Sequence, residues 1–309
     1  MLLLAALIAA SWTFERPVEA VAATAPPNTH SYYVMDPSAP TMNSLGATEG
    51  KFDTSLCQKV TVILDFGQVG YEATSSGFHG YGTYDFQSGS PFIKDGTIET
   101  AAENFALGWY GVTGSCPHLM LGVGVNNYNE CPFANGCSVS QAGTEWASLI
   151  AVLRTDLTNL GVSSQITVRA AMDAQAGWDC FTRTNTFLTA FNNNDTSGAA
   201  LLDFGDAAYA SVCNQGTPQW TQQDVWEAAY GQPNDFPFPE IYVSGQITDW
   251  KNVYLDVGYM NSYGTLSQYP CGGYSPSQAW TNFYDALKPV DGSLVLESSL
   301  DVIWQDHEC

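Results

Sequence analysis

The chain has 309 residues, of which 45% are hydrophobic and 13% are charged, so it can bury a sizeable core. Its 31 acidic residues outnumber 9 basic ones, which gives a formal net charge of -22. Because a surface with this charge repels phosphate backbones and anionic lipid headgroups, we expect no nucleic-acid partner and no binding to anionic membrane surfaces.

The first ten residues, "MLLLAALIAA", form an apolar run that is too short to span a bilayer but suits the core of a secretory signal. Ala20-Val21-Ala22 provides a small-residue cleavage step, so residues 1–22 are interpreted as a signal-like segment, with a degenerate N-terminal helix as the alternative. No later segment reaches membrane-spanning length, and no membrane insertion is expected. The protein is therefore predicted to be secreted, either extracellular or at the cell surface.

Eight cysteines, an even number, follow this signal-like start. In such a chain they predict disulfides that form outside the cytosol and staple the loops. The connectivity does not follow from the sequence, although Cys131 and Cys137 would close a short loop. Zinc would require Cys-x-x-Cys pairs or histidine ligands, and neither pattern occurs, so no metal site is predicted.

Residues 23–58 are rich in Pro, Ser, Thr and Asn and have no sustained period, which predicts an extended lead-in. From Lys59 onward, apolar strand-like runs alternate with helix-like segments, and we place a single domain at residues 59–309. Strands are predicted in "KVTVILDF", "HLMLGVGV", "QITVRAAMD", "AALLDFGD", "PEIYVS", "YGTLSQ" and "GSLVLESSLDVIW". Helices are predicted in "TIETAAENFALGWYG", at residues 144–160, and in "TNTFLTAF", "QQDVWEAAY" and "SQAWTNFYDAL", the fourth opening on a capping box.

This alternation predicts the fold class α/β, with a mostly parallel sheet covered by helices. The number of strands favours a (β/α) TIM-like barrel over an open sheet. In such a barrel the active site lies at the carboxyl ends of the strands. A carboxylate that ends an apolar strand is therefore a candidate catalytic group.

Two of the predicted strands end on the same step, Asp-Phe-Gly, and other acids follow strands in a similar way. Paired carboxylates in a cleft can act as general acid and as nucleophile or base on a glycosidic bond. The alternative is that each aspartate simply caps the turn after its strand. The candidate catalytic residues are Asp65, Asp173, Asp179, Asp203 and Asp206.

If the chain is a glycosidase, Asp173 is the expected ionised partner because of a family resemblance of its strand that is described below. Arg169 shares its side of the strand, and a guanidinium nearby would keep the carboxylate charged. The proton donor then needs an apolar setting that raises its pKa, which favours Asp206 over Asp179. The alternative is that Arg169 and Asp173 form a buried pair inside the barrel. Aromatic rings, including Trp178 and those of the glycine-rich loop expected at residues 70–89, suit stacking on sugar rings or could pack that loop onto the barrel.

Other chemistries lack their sequence signatures. Asp-Phe-Gly occurs in protein kinases, but the glycine-rich loop, the strand lysine and the His-Arg-Asp loop of a kinase are missing. The Gly-x-Ser-x-Gly elbow, the Walker and dinucleotide-binding motifs and the His-Glu-x-x-His motif do not occur either. No cofactor is predicted.

The order of several motifs resembles the family 25 glycoside hydrolases, the lysozyme-type muramidases. Asp65-Phe-Gly-Gln68 resembles the first-strand Asp and nearby Gln of that family, and "EIYVS" at Tyr242 resembles its Ile-Tyr-Thr step. "LSQY", with Gln268 and Tyr269, resembles its Trp-Gln-Tyr strand. The chain also resembles uncharacterised secreted glycosidase-like barrel proteins of soil bacteria in "NN", "GDAA", "PEIY" and "SPSQAW". The resemblance extends over residues 59–287.

The resemblance implies a TIM barrel that acts on cell-wall or other extracellular polysaccharide through carboxylates at its mouth. The family's catalytic strand carries Asp-x-Glu, whereas this chain has Asp173-Ala174-Gln175, and glutamine cannot donate a proton. Either another acid takes that role or hydrolysis is lost. Three functions therefore stay open: a glycosidase, a catalytically inactive glycan-binding barrel, and a surface or filament-forming structural protein. The substrate-binding candidates are Gln68, Asn126, Arg169, Gln175, Trp178, Tyr242 and Gln268.

Overall fold

Eight parallel strands form a nearly closed barrel in the computed structural model of the chain, as the sequence predicts. The structure describes residues 23–55, 57–73, 79–87, 89–131, 136–207, 220–232 and 235–305. The signal-like segment 1–22 lies outside the described residues.

The barrel strands are numbered along the chain, and their order around the ring differs from this numbering. Around the ring the order is β8 (Phe236–Pro237), β7 (Leu201–Asp203), β6 (Ile166–Asp173), β5 (His118–Asn126), β2 (Lys59–Ala73), β1 (Thr29–Tyr33), β10 (Ser298–Trp304) and β9 (Gly264–Ser267). A single bridge between Glu240 and Leu266 joins the two ends of this order. Two further strands, β3 (His79–Tyr84) and β4 (Phe92–Lys94), extend β2 beyond the barrel as an antiparallel sheet.

The described part of the chain contains seven α-helices, which surround the barrel. They are α1 (Ala39–Asp53), α2 (Asp95–Thr113), α3 (Val139–Asn159), α4 (Phe181–Asn194), α5 (Gln222–Tyr230), α6 (Ser244–Asp256) and α7 (Pro276–Leu287). The predicted capping box is confirmed at the start of α5, where Thr221 and Asp224 exchange hydrogen bonds of 3.1 and 2.7 Å. None of the described helices is long and apolar enough to span a membrane.

The two-residue period of the strands separates two apolar layers. On β2, Val60, Val62 and Leu64 pack in the layer between the barrel and the helices, whereas Ile63 faces the barrel interior. Ala171, Leu202, Phe204, Phe238, Leu266 and Leu300 fill the same interior. Because Asp65 and Asp173 each follow an interior residue by two positions, both carboxyls face the mouth of the barrel from inside.

The extended lead-in predicted for residues 23–58 is wrong, because β1 and α1 form the first β/α unit of the barrel there. The hydrophobic pattern of β1 is hidden by two buried polar residues. The Thr29 hydroxyl donates a 2.5 Å hydrogen bond to the Thr61 carbonyl oxygen, and the Ser31 hydroxyl accepts a 3.0 Å bond from the Ile63 amide. Both polar groups are thus satisfied inside the sheet.

Two other predicted elements differ in the structure. Strand β2 does not stop at Asp65 but continues through a bulge between Asp65 and Gln68, and β3 and β4 occupy part of the loop expected at residues 70–89. The segment "PEIYVS" contributes only the bridge at Glu240, and α6 begins at Ser244. The extended strand predicted there is therefore too long.

The predicted disulfide between Cys131 and Cys137 is confirmed. A second disulfide joins Cys57, just before β2, to Cys116, just before β5. Cys180 and Cys271 are also disulfide-bonded, and no described cysteine is free. Cys213 and Cys309 lie outside the described residues.

Candidate functional site

The two Asp-Phe-Gly steps form the same local turn. The Asp65 carboxyl accepts a 2.9 Å hydrogen bond from the Gly67 amide, and the Asp203 carboxyl accepts a 3.1 Å bond from the Gly205 amide. Each aspartate therefore caps a local turn, at the bulge within β2 for Asp65 and after β7 for Asp203, in keeping with the alternative interpretation of these acids. A carboxyl that caps a turn can also take part in catalysis if it faces the mouth of the barrel. The direction of each carboxyl therefore decides whether it is a catalytic candidate.

The glycine of each step lets a neighbouring backbone approach the turn. A Cβ atom at Gly67 would lie 2.3 Å from the Tyr84 carbonyl oxygen, and its φ of +100° is unfavourable for other residues. A Cβ atom at Gly205 would lie 2.3 Å from the Ala174 carbonyl oxygen. Gly67 thus lets the β3 hairpin pack closely against the turn at Asp65, and Gly205 lets the segment after β6 pack closely against the turn at Asp203.

The two aspartates face different sides of the barrel wall. Asp65 follows the interior residue Ile63 by two positions, whereas Asp203 lies between Leu202 and Phe204, which both face the interior. By alternation, Asp203 faces the helix side, where its carboxyl also accepts a 3.4 Å hydrogen bond from the Ala174 amide. Burial raises the pKa of Asp203 to about 7. The two carboxyls therefore leave the barrel wall on different faces, although the charge of Asp203 still raises the pKa of both Asp173 and Glu240.

Three buried carboxyls lie together at the base of the mouth: those of Asp65, Asp173 and Glu240. Their residues are 1%, 0% and 3% exposed. Burial raises the pKa of Asp65 to about 7. Burial, opposed by a hydrogen bond from Tyr242, raises the pKa of Glu240 to about 8. The pKa of Asp173 lies well above its usual range because of burial and the nearby charges of Glu240 and Asp65. These carboxyls therefore hold protons near neutral pH, each to a different degree.

Two tyrosines and a glutamine surround Glu240. The Tyr242 hydroxyl donates a 2.6 Å hydrogen bond to one carboxyl oxygen of Glu240, and the Gln175 amide donates a 3.4 Å bond to the other. Burial and the charges of Glu240 and Asp173 raise the pKa of Tyr33 well above its usual range, and Tyr33 also lines the cleft. Both carboxyl oxygens of Glu240 are thus held by hydrogen bonds.

A cleft of about 370 Å³ opens above this carboxyl cluster. Its lining combines aromatic rings with side-chain amides and one carboxyl, namely Tyr33, Gln68, Tyr84, Asp85, Phe86, Ser90, Asn126, Tyr128, Trp178, Gln268 and Trp304. Four of these were predicted as substrate-binding residues: Gln68, Asn126, Trp178 and Gln268. Two more, Gln175 and Tyr242, lie at Glu240 below the cleft.

The rings of the cleft are held by one another. Tyr33 packs against Phe86 and Trp304 at centroid distances of 5.1 and 4.7 Å, and Phe86 packs against Trp304 at 5.4 Å. On another part of the rim, Tyr128 and Trp178 meet edge to face at 6.0 Å. Because these contacts fix the ring planes, the cleft presents preformed apolar faces.

Arg169 does not act on Asp173 as predicted. It lies four residues before Asp173 on β6, towards the start of the strand, and the groups that perturb its own pKa are burial, Arg154, Tyr263 and Asp195. The described groups that act on the pKa of Asp173 include no guanidinium, and burial among carboxyls favours its protonated form. The predicted pair of Arg169 with Asp173 is therefore wrong.

Of the other two candidate acids, Asp179 is held in an ion pair, and Asp206 lies near enough to Glu240 to act on its pKa. Asp179 is buried in an ion pair with Arg183, at 3.0 Å, and also accepts a 2.6 Å hydrogen bond from the Cys180 amide at the start of α4. Its carboxyl is therefore held by a structural pair. Asp206 is half-buried after β7, and its charge contributes to the raised pKa of Glu240.

Glu240, Tyr33, Asp85 and Trp304 are site residues that the sequence interpretation missed. A search for acids that follow apolar strands finds Asp65 and Asp173 but not Glu240, whose segment is not a regular strand. The separation of two positions between Glu240 and the predicted Tyr242 is the signal that could have found it. Tyr33 was assigned to the lead-in, so it was never considered.

Comparison with protein-family models finds none that matches, and comparison with curated proteins finds no match either. Within the described ranges, no group of three or more His, Cys, Asp or Glu side chains is placed to hold a metal ion.

Proposed function

We propose that the cleft binds a carbohydrate chain and that the carboxyls beneath it hydrolyse a glycosidic bond. The observation that carries this proposal is the position of Asp65, Asp173 and Glu240, whose proton affinities differ, below preformed aromatic faces at the mouth of a parallel barrel. The C–H faces of sugar rings pack well on aromatic rings, and the amides of Gln68 and Gln268 supply donors and acceptors for hydroxyl groups.

Hydrolysis needs one carboxylic acid and one carboxylate. Asp65 is the first of the cluster to ionise, because its carboxyl accepts the Gly67 amide and its pKa is also lowered by the Asn126 side chain. Glu240 keeps its proton to a higher pH, with a pKa of about 8. In the proposed mechanism Glu240 protonates the leaving glycosidic oxygen, and the Asp65 carboxylate attacks the sugar carbon or activates water.

Glycan binding without hydrolysis is the second candidate function. It is favoured by the burial of the three carboxyls, which are at most 3% exposed and do not line the cleft. The replacement of the family's glutamate by Gln175 favours the same function. For both candidates we propose a secreted protein related to the family 25 glycoside hydrolases, a location with which the disulfides are compatible.

The two candidates are separated by measuring binding and hydrolysis on the same panel of neutral, N-acetylated, amino and acidic polysaccharides. Wild type is compared with Asp65→Asn and Glu240→Gln, with Asp285→Asn, an exposed acid on α7, as the matched control. Release of reducing ends by wild type and the control, with loss of about a thousandfold or more in both site variants and unchanged binding, supports hydrolysis. Binding without any release of reducing ends leaves the second candidate, and absence of binding overturns both.

A further inference from the structure

We propose that the glycan recognised by the cleft carries protonated free amino groups and that the Asp85 carboxylate contacts them. This inference rests on the proposed function and names its substrate class. A glycan of this kind contains glucosamine-type residues without N-acetylation.

Asp85 is a fixed carboxylate inside the cleft. It follows β3, lines the cleft and is 6% exposed. The Gln87 amide donates a 2.9 Å hydrogen bond to one of its oxygens, and its own amide donates a 3.1 Å bond to the Pro91 carbonyl oxygen. A Cβ atom at Gly67 would lie 3.2 Å from the Asp85 Cα, so the backbone of Asp85 is packed against the turn after Asp65. Its carboxylate is therefore positioned before any ligand arrives.

The charges around Asp85 favour a cationic ligand. Among the described residues that line the cleft, Asp85 carries the single carboxyl, and none is a lysine, arginine or histidine. The whole chain also has a formal net charge of -22 at pH 7. A uronic acid, sulfate or phosphate on the glycan would meet only repulsion here, whereas an ammonium group gains a charge-assisted hydrogen bond.

The aromatic lining adds to this preference. An ammonium group is attracted to the faces of Trp and Tyr rings, and the cleft presents Trp178, Trp304, Tyr84 and Tyr128. Neutral sugars use the same rings through their C–H faces. The rings therefore bind both classes of sugar, and Asp85 provides the distinction between them.

The inference is tested with glucosamine oligomers and fully N-acetylated oligomers of equal length, at a pH where the free amines are protonated. Affinities for wild type, Asp85→Asn and the control Asp285→Asn are measured by titration calorimetry at two salt concentrations. We expect wild type and the control to prefer the amino oligomer by about tenfold or more, with the preference reduced by salt. Asp85→Asn should lose this preference while it still binds the N-acetylated oligomer.

Equal affinity of wild type for the two oligomers, or a preference for oligogalacturonate, overturns the inference while the proposed glycan binding stands. A preference that persists unchanged in Asp85→Asn overturns the role of Asp85. The comparison of oligomers on wild type decides the substrate class even if Asp85→Asn does not fold. If wild type binds none of the oligomers or the polysaccharides, the proposed function fails as well.

Discussion

The Tyr242 hydroxyl donates a 2.6 Å hydrogen bond to the carboxyl of Glu240, two residues earlier in the chain. This bond stabilises the charged form of Glu240 and opposes the effect of burial on its pKa, which nevertheless reaches about 8. Tyr242 is half-buried, and burial and the charges of Glu240, Tyr33 and Asp173 raise its own pKa. The Tyr242 hydroxyl is therefore the group that opposes burial and the neighbouring charges in setting the proton affinity of Glu240.

Tyr242→Phe should raise the pKa of Glu240 above about 8, because it removes a donor to the carboxylate and leaves the burial unchanged. The pKa can be followed through the carboxyl band in infrared difference spectra, with Glu240→Gln to assign that band. Tyr259→Phe, at an exposed tyrosine, is the control. A lower pKa of Glu240 in Tyr242→Phe would contradict the assigned direction of this hydrogen bond.

The protein should be more stable in mild acid than at neutral pH. Burial raises the pKa to about 7 for Asp53, Asp65, Asp95 and Asp203, and to about 8 for Asp235 and Glu240. Because the folded chain binds more protons than the unfolded chain between the ordinary carboxyl pKa values and about 8, unfolding releases protons there and stability falls as the pH rises. We expect Tm to fall by about 10 °C or more across this window in calorimetric scans. A Tm that rises towards neutral pH would show that these acids are ionised in the fold.

Gly67→Ala should destabilise the protein by about 2–4 kcal/mol, since the added methyl group meets the Tyr84 carbonyl oxygen and the φ of +100° disfavours alanine. Gly272→Ala, at a φ of +87° and a ψ of 10° with open space around it, should cost only about 1 kcal/mol. Urea unfolding of both variants gives the comparison. Equal costs would mean that the hairpin is not packed against this turn. Glycan affinity should also fall in Gly67→Ala, because Tyr84 and Asp85 would move.

The two described disulfides should differ in their contribution to stability. Cys57 and Cys116 are 59 residues apart and Cys131 and Cys137 are 6 apart, so the first restricts the unfolded chain more. Replacing each pair by serine should lower the free energy of unfolding by about 4 and about 2 kcal/mol, respectively. Chemical denaturation of the two double variants tests the order. A larger loss for the short loop would point to a packing role of the buried Cys131.

Helices with a clear apolar stripe could be predicted from the sequence, whereas α1 and α6 were not predicted. In α1 and α2 glycines take the place of large apolar residues at the contact: a Cβ atom at Gly46 would lie 2.0 Å from the Phe105 carbonyl oxygen, and one at Gly108 the same distance from that of Asn43. Helices that pack through glycine approach closely without a hydrophobic period, so the pattern of α1 resembles a loop. The same applies to β1, whose interior face carries hydroxyl groups.

The candidate site was predictable where it follows regular strands and not where it depends on closure of the ring. Asp173 and Asn126 end β6 and β5, and Asp65 ends the apolar run of β2 at its bulge, so all three are found by position along the chain. Glu240 becomes part of the site because its backbone pairs with Leu266, more than twenty residues away. The groups that act on Arg169, namely Arg154, Tyr263 and Asp195, also come from other segments of the chain. Alternation along β6 alone therefore assigned it the wrong partner.

The barrel closes between β8 and β9 through a short seam. Among the described residues, three backbone hydrogen bonds cross this seam, from Tyr263 to Pro237 at 2.9 Å, from Leu266 to Pro239 at 2.9 Å and from Ile241 to Leu266 at 2.8 Å. The pairing of β2 with β5 is much longer and extends from Lys59 and His118 to Gln68 and Asn126. Glu240 sits on the seam itself, so the amide protons of Ile241 and Leu266 should exchange with solvent earlier than those of β5. Each opening of the ring would let water reach the buried carboxyl of Glu240. The rate at which this carboxyl exchanges its proton would therefore depend on how often the barrel opens.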